Sequence, residues 1–332
     1  MQRLKAGILG CGGFAHTHAR ACQALSEQVE LVAFCDRNEW KASEFALQYT
    51  AGQGTVFTDH HTMLEQPQLD LLIICVPPYG HSDEVQMAAE RGIHLLIEKP
   101  IALTSEQAWR MVEHAENAGI KTQVGFMYRF GEAVERFKTM QAQGDTGHMG
   151  LMSARYFCNA LHADWWRDRD RSGGQLVEQV IHMFDLLRYF LGEPESVYSR
   201  QENMFHRDMA DYTVEDVSAT VLGFQGGALG VVYASNGAIP GKWMHDYRIV
   251  AHRVMADFTN ANHAVFYPTT DKDRAPVTVD SEQDWYVKQM QDLLHAIASD
   301  GDTRTPLREG AKSLDVVLAA VRSASARAEL RF

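Results

Sequence analysis

A short apolar run, Ala6 to Leu9, passes directly into Gly10-Cys11-Gly12-Gly13-Phe14-Ala15, and a helical stretch follows from Ala15 to Leu25. This is the spacing of a turn that carries a first β-strand into a first α-helix. A second apolar run, Leu31 to Cys35, ends in Asp36. Glycine at position 12 leaves no side chain between the backbone and a ligand. The helix start beyond it supplies N–H donors and a favourable dipole. The combination suits the pyrophosphate of a dinucleotide, with Asp36 placed to accept hydrogen bonds from its ribose diol. A tight turn without a ligand is the bland alternative. The strand before, the helix after and the acid at the end of the second strand weigh against it.

The first third alternates strand and helix signals. Further strand-like runs are Leu69–Val76, His94–Ile97 and Thr122–Phe126, nearly uninterrupted apolar segments of the kind buried on both faces of a parallel sheet. Helical stretches Glu39–Tyr49, Ser82–Arg91 and Ser105–Asn117 separate them, with Thr104 and Gln107 set as a capping box and Gly92 and Gly119 as C-caps. Repeated β-α-β units give a doubly wound sheet. After Phe130 the rhythm changes. A helix Glu132–Gln143, a strand-like run Leu151–Cys158, a polar loop and helix Gln175–Leu191, strand-like alternation from Val197 to Tyr267 and two closing helices, Glu282–Ser299 and Arg308–Glu329, predict a second domain of α+β type. The expected fold is thus α/β: a Rossmann domain over 1–126 and a domain with an open, largely antiparallel sheet over 127–332. The last helix is free to pack back on the first domain.

Length supports two cores, and 45% apolar with 22% charged residues is ordinary for a globular chain. A net charge of −12 argues against nucleic acid or an anionic membrane as partner. The cysteines, Cys11, Cys22, Cys35, Cys75 and Cys158, form no Cys-x-x-Cys pair, so neither a zinc knuckle nor a dithiol site is expected. No stretch resembles a secretory leader or a membrane span. These features predict a cytoplasmic location.

Four further segments carry candidate chemistry. Cys75-Val76-Pro77-Pro78-Tyr79-Gly80-His81 and Glu98-Lys99-Pro100 follow apolar strands, at the end where sheets of this kind bind ligands. Lys99 is costly to place there without a task; its bland reading is a snorkelling side chain or an ion pair with Glu98. Within Gly173–Asp185, Glu178 and His182 stand four apart on a helical stretch Gln175–Leu191, with Asp185 near the same stripe. A buried polar pair is the structural alternative, and a metal site of His162, Glu178 and His182 is another, unsupported by any ligand signature. The loop His162-Ala163-Asp164-Trp165-Trp166-Arg167 joins indoles to charges, as a polyol or sugar requires.

With these residues assembled, the chain resembles the glucose–fructose oxidoreductase / inositol dehydrogenase (Gfo/Idh/MocA) family nearly end to end. The carriers are the Gly10-x-Gly12 turn, Asp36-Arg37, Pro77 with His81, Glu98-Lys99-Pro100, Arg129, Gly173–Asp185 and the closing helix. The resemblance implies an NAD(P)-dependent dehydrogenase acting on a hydroxyl or carbonyl carbon of sugars, polyols and their acids, working as a homodimer or homotetramer. NAD is the expected cofactor, with NADP the second candidate. Lys99 matches the family's lysine and His182 its proton carrier. The family's Asp four residues before that histidine is here Glu178, and its glycine two before is Val180. Cofactor contacts are expected from Gly10, Gly12, Gly13, Phe14, Ala15, Asp36, Arg37, Cys75, Pro77, His81, Glu98 and Lys99. Substrate contacts are expected from Lys99, Arg129, His162, Trp165, Trp166, Arg167, Glu178 and His182, with Lys99, His182 and Glu178 catalytic and no metal. Two rivals are an NAD-dependent glycosidase working by oxidation and elimination, and a non-catalytic nucleotide or sugar sensor.

Overall fold

The structure, a computed structural model, describes residues 3–65 and 69–332. It divides into two compact units. The first comprises Met1–Met127 and Asp284–Lys312, the second Tyr128–Gln283 and Ser313–Phe332. Against the expected division at 126, the first unit runs to Met127 and also takes in residues 284–312.

In the first unit, β1 (Leu4–Leu9), β2 (Val29–Cys35), β3 (Thr55–Phe57), β4 (Leu71–Ile74), β5 (His94–Ile97) and β6 (Thr122–Val124) form a parallel sheet in the order β3-β2-β1-β4-β5-β6. β4 and β5 are buried throughout except His94, which explains their unbroken apolar sequence. The order reverses between β1 and β4, so the strand ends there open the crevice in which doubly wound sheets take ligands. Thr104 Oγ1 accepts from the Gln107 backbone N–H and starts helix Ser105–Ala118, which Gly119 ends in the left-handed region. Helix Trp285–Ser299 packs on helix Ala15–Ala24 through Met290, Leu293 and Leu294, the burial that draws the late segment back.

In the second unit, β7 (Met149–Phe157), β8 (Pro194–Glu202), β9 (Val217–Phe224), β10 (Leu229–Ser235), β11 (Tyr247–Ala251), β12 (Val254–Phe258), β13 (His263–Pro268), β14 (Val277–Asp280) and β15 (Leu330–Arg331) make a mixed sheet. Its order is β14-β13-β12-β11-β7-β10-β9-β8-β15, antiparallel except at β7–β10. Helix Ile181–Leu191 lies on β7 and β10, so closely that a Cβ on Gly230 would stand 2.4 Å from Leu187. Among the described residues, no helix is long and apolar enough to cross a membrane.

Candidate active site

The glycine turn is built as its spacing implies, though the glycines differ in purpose. Gly10 has φ +90°, and a Cβ there would meet the Cys75 backbone at 2.8 Å, so glycine is required by the neighbouring strand end. Gly12 and Gly13 have nothing within 4 Å of an added Cβ. The fold does not demand glycine at either position; the open space fits a phosphate lying against the backbone. Helix Ala15–Ala24 begins there with no side-chain cap and no acid in its first turn, which leaves its positive end unneutralised. Asp36 Oδ2 accepts from the Cys11 N–H at 3.0 Å and Oδ1 from the Asn38 N–H at 2.9 Å. The carboxylate is thereby aimed, with lone pairs left for a ribose diol. Arg37 is exposed, as is Phe14, whose ring edge meets His18 and Tyr286.

At the ends of β4 and β5, two residues expected at the cofactor, His81 and Glu98, have buried hydrogen-bond partners within the protein. His81 Nδ1 lies 2.6 Å from Glu84 Oε1, both side chains 1% exposed. Burial opposes ionisation of Glu84, but the His81 bond and the Ser82 N–H outweigh it and hold the carboxyl below its usual range. Glu98 is buried too: Oε1 accepts from His18 Nε2 at 2.7 Å and Oε2 from the Lys99 N–H at 3.3 Å. Its carboxylate sits where a Cβ on Gly125 would come within 2.5 Å. Cys75 and Pro77 are half-buried beside the glycine turn's strand, with Cys75 N–H donating to Leu9 O at 2.7 Å. Lys99 is half-buried, and the Lys99–Pro100 peptide is cis.

In the second unit the expected single helix over Gln175–Leu191 is interrupted. Leu176–Val180 is a π-helical turn and only Ile181–Leu191 is α-helical. The four-residue spacing of Glu178 and His182 therefore does not have its α-helical meaning. Gly174, at φ +100°, lets this turn start against Glu215: an added Cβ would lie 2.5 Å from Glu215 Oε2. Glu215 Oε1 accepts the Leu176 N–H at 2.7 Å, and Oε2 accepts from Arg169 Nη2 at 2.7 Å. Asp185 leaves the expected polar stripe altogether. It receives Arg129 Nε at 2.8 Å and Nη2 at 2.6 Å, plus the Ser313 hydroxyl at 3.0 Å, all buried. Arg129, expected at the substrate, thus commits its guanidinium to a bidentate structural pair.

The loop before the π-turn is also reassigned in part. It contains short helices Asp164–Arg167 and Arg169–Ser172. Trp166 is core, 2% exposed, packed with Tyr212 and Val214, and its Nε1–H donates to Glu178 Oε2 at 2.8 Å. Arg167 pairs with Asp164 and Asp211, while Trp165 packs half-buried against the same cluster. His162 is the unusual member: a non-glycine residue at φ +55°, its ring 4.2 Å from that of Trp166 and its Nε2 3.1 Å from Gln179 Nε2. Burial lowers its pKa, against an opposing pull from Glu178.

His182, 5% exposed, anchors an aromatic chain missed in the sequence. Its ring is 5.0 Å from Tyr128; Tyr128 stacks on His245 at 5.3 Å; His245 meets Tyr156 at 6.4 Å; Tyr156 meets Trp243 at 6.1 Å, and Trp243 meets His162 at 5.5 Å. Burial lowers the His245 pKa, with Asp246 opposing, so this ring favours the neutral form. The signal available in the sequence was only Trp243-Met244-His245, isolated aromatics in a turn-rich stretch. Among the described residues, the three-ligand grouping that could hold a metal is Asp59, His60 and His61, not His162, Glu178 and His182.

Comparison with known proteins places this geometry in a class. Residues 4–126 match the model of an oxidoreductase family with an NAD-binding Rossmann fold, and residues 134–282 match the GFO/IDH/MocA C-terminal domain. The chain belongs to the Gfo/Idh/MocA oxidoreductases and is an NAD(P)-dependent dehydrogenase. It is 28% identical over 248 residues to myo-inositol 2-dehydrogenase of Thermotoga maritima, spanning 74% of this chain and 72% of that protein. It is 30% identical over 230 residues to D-xylose 1-dehydrogenase (NADP(+)) 2 of Haloferax volcanii, spanning 69% and 68%. Levoglucosan dehydrogenase in complex with NADH and levoglucosan has the same fold, with TM-score 0.92 at 21% identity over 99% of both chains.

Proposed function

We propose that the protein oxidises a hydroxyl-bearing carbon of a sugar, polyol or sugar acid, with NAD preferred. The observation that carries this reading is the surround of His182: its ring meets Tyr128, which stacks on His245, and Glu178 is held in place by an indole. Such surfaces stack on C–H faces and bond hydroxyls. The names of the relatives, dehydrogenases of inositol, xylose and levoglucosan, support the substrate class. Gly12, Gly13, the helix start after them and Asp36 would hold the cofactor, which when bound accepts the hydride from the substrate carbon. His182 takes the hydroxyl proton as general base. Lys99 hydrogen-bonds the substrate oxygen and stabilises developing alkoxide charge. Glu178 orients its partners.

The test is a screen of sugars, polyols and sugar acids with NAD and NADP, followed by absorbance of the reduced nicotinamide. With a substrate in hand, His182→Asn should cut kcat by roughly 10²–10⁴ and flatten the rise of rate with pH. An unchanged profile would move the base role to Lys99.

Assembly as a homodimer or homotetramer is part of the proposal. Across five neighbouring strands the register aligns Leu229, Leu151, Val250, Met255 and Tyr267. Of these, all but Met255 are 38–49% exposed, on a sheet whose other face carries helix Ile181–Leu191. An apolar row of this kind is suited to a second copy of the same sheet. A Leu229→Arg variant should sediment as a smaller species; unchanged assembly would reject this face. Five free cysteines support a reducing compartment, the cytoplasm.

A further inference from the structure

His18 lies one turn into the helix that starts at the glycine turn. Its side chain is fully buried. Its Nε2–H donates to Glu98 Oε1 at 2.7 Å, and its Nδ1 meets no hydrogen-bonding atom among the described residues. Ring edges of Phe14 at 5.7 Å and Tyr286 at 6.1 Å enclose it. A histidine with one bond, no water access and aromatic walls is expensive to bury for packing alone. The other oxygen of the same carboxylate accepts the Lys99 N–H at 3.3 Å. Gly125 must lack a side chain for that carboxylate to fit.

We propose that His18 is a positioning residue for Lys99. The carboxylate of Glu98 is the connecting piece: one oxygen is fixed by the helix that bears the cofactor turn, the other fixes the backbone N–H of the lysine. A displacement of that helix at its first turn is thus transmitted to the direction in which Lys99 leaves the end of β5. The proposal rests on the catalytic reading of Lys99 given above. A misplacement of about 1 Å in a group acting on a reacting atom costs on the order of 10²-fold in rate.

The experiment compares wild type, His18→Leu, His18→Gln and Lys99→Ala on the full chain. NADH affinity is read by fluorescence titration, turnover with NAD using myo-inositol, D-xylose and levoglucosan as probes, and the Lys99 amide by hydrogen exchange. His18→Leu should lower kcat roughly 10- to 100-fold while leaving the NADH Kd within about threefold, the split expected of lost alignment rather than lost binding. Exchange of the Lys99 amide should speed up at least about tenfold as Glu98 is released. His18→Gln, which can still donate an N–H to Glu98, should recover most of the turnover and the protection. Unchanged Lys99 exchange in His18→Leu overturns the proposal, as does a parallel collapse of NADH affinity and kcat. If His18→Leu does not fold, Glu98→Gln is read by the same measurements and judged by the same outcomes. Full turnover in Lys99→Ala would instead defeat the catalytic reading of Lys99, while the exchange measurement still reports the link to His18.

Discussion

The indole N–H of Trp166 donates to Glu178 Oε2 at 2.8 Å from a ring that is 2% exposed. A tryptophan that reads in sequence as a sugar platform is therefore a support for the carboxylate behind it. Trp166→Phe should cost about 1–3 kcal/mol, the penalty of a buried acceptor losing its donor. Trp166→Ala should cost about 3–5 kcal/mol through the cavity as well. Urea unfolding checks both. A Trp166→Ala protein of unaltered stability with only a raised KM would restore the platform reading.

Gly10 and Gly12 should separate folding from binding. Gly10→Ala places a Cβ 2.8 Å from the Cys75 backbone at φ +90°, and strain of this kind costs about 1–3 kcal/mol or more. Gly12→Ala meets no protein atom within 4 Å, so its melting temperature should be that of wild type. Its NADH affinity should fall at least about tenfold, because the methyl occupies the ligand's side of the turn. A Gly12→Ala protein that binds NADH normally would remove the phosphate from this turn.

Asp36 should set cofactor choice. Its carboxylate, oriented by the Cys11 and Asn38 N–H groups, would bond a ribose 2′-hydroxyl and repel a 2′-phosphate. NADH should bind more tightly than NADPH, and Asp36→Ser should narrow the gap by about 1–3 kcal/mol, the worth of charge-assisted bonds. Tighter NADPH binding by the wild type, read by fluorescence, would reverse the assignment.

Glu84 should contribute to acid stability. Its folded carboxyl titrates below the ordinary value of 4.5, so the native state holds that proton less tightly than the unfolded chain. The stabilisation is complete above the ordinary value and is lost as pH falls through the folded one. The stability gap between wild type and Glu84→Gln, measured by urea unfolding, should therefore shrink on going from pH 6 to pH 3. A gap independent of pH would mean the His81–Glu84 pair does not bias the proton.

The parallel sheet was legible because β4 and β5, buried on both faces, leave no room for polar alternation. β3, β14 and β15 were not, since Thr55–Phe57, Val277–Asp280 and Leu330–Arg331 are short, partly exposed edge segments with no apolar run. The return of Trp285–Ser299 to the first unit was hidden because an amphipathic stripe says that a helix is buried, not against what. Among candidate residues, Gly12, Asp36 and Lys99 could be picked out by place on the sheet. The protein partners of Arg129 and Glu98 could not be read, because a pairing such as Arg129 with Asp185 spans 56 positions and leaves no local trace. The π-turn hid for the opposite reason: it differs from an α-turn by one residue, below the resolution of a hydrophobic period.

That extra residue between Leu176 and Val180 sets the register between the turn that bears Glu178 and the α-helix that bears Asp185. Deleting one position there would restore an ordinary α-turn and rotate the part before it by about 100° relative to the part after it. Glu178 would swing away from Trp166, while Asp185 would keep Arg129. A single-codon insertion or deletion is thus a self-contained step by which such a chain can re-aim one carboxylate without disturbing the anchor that holds the helix to its unit.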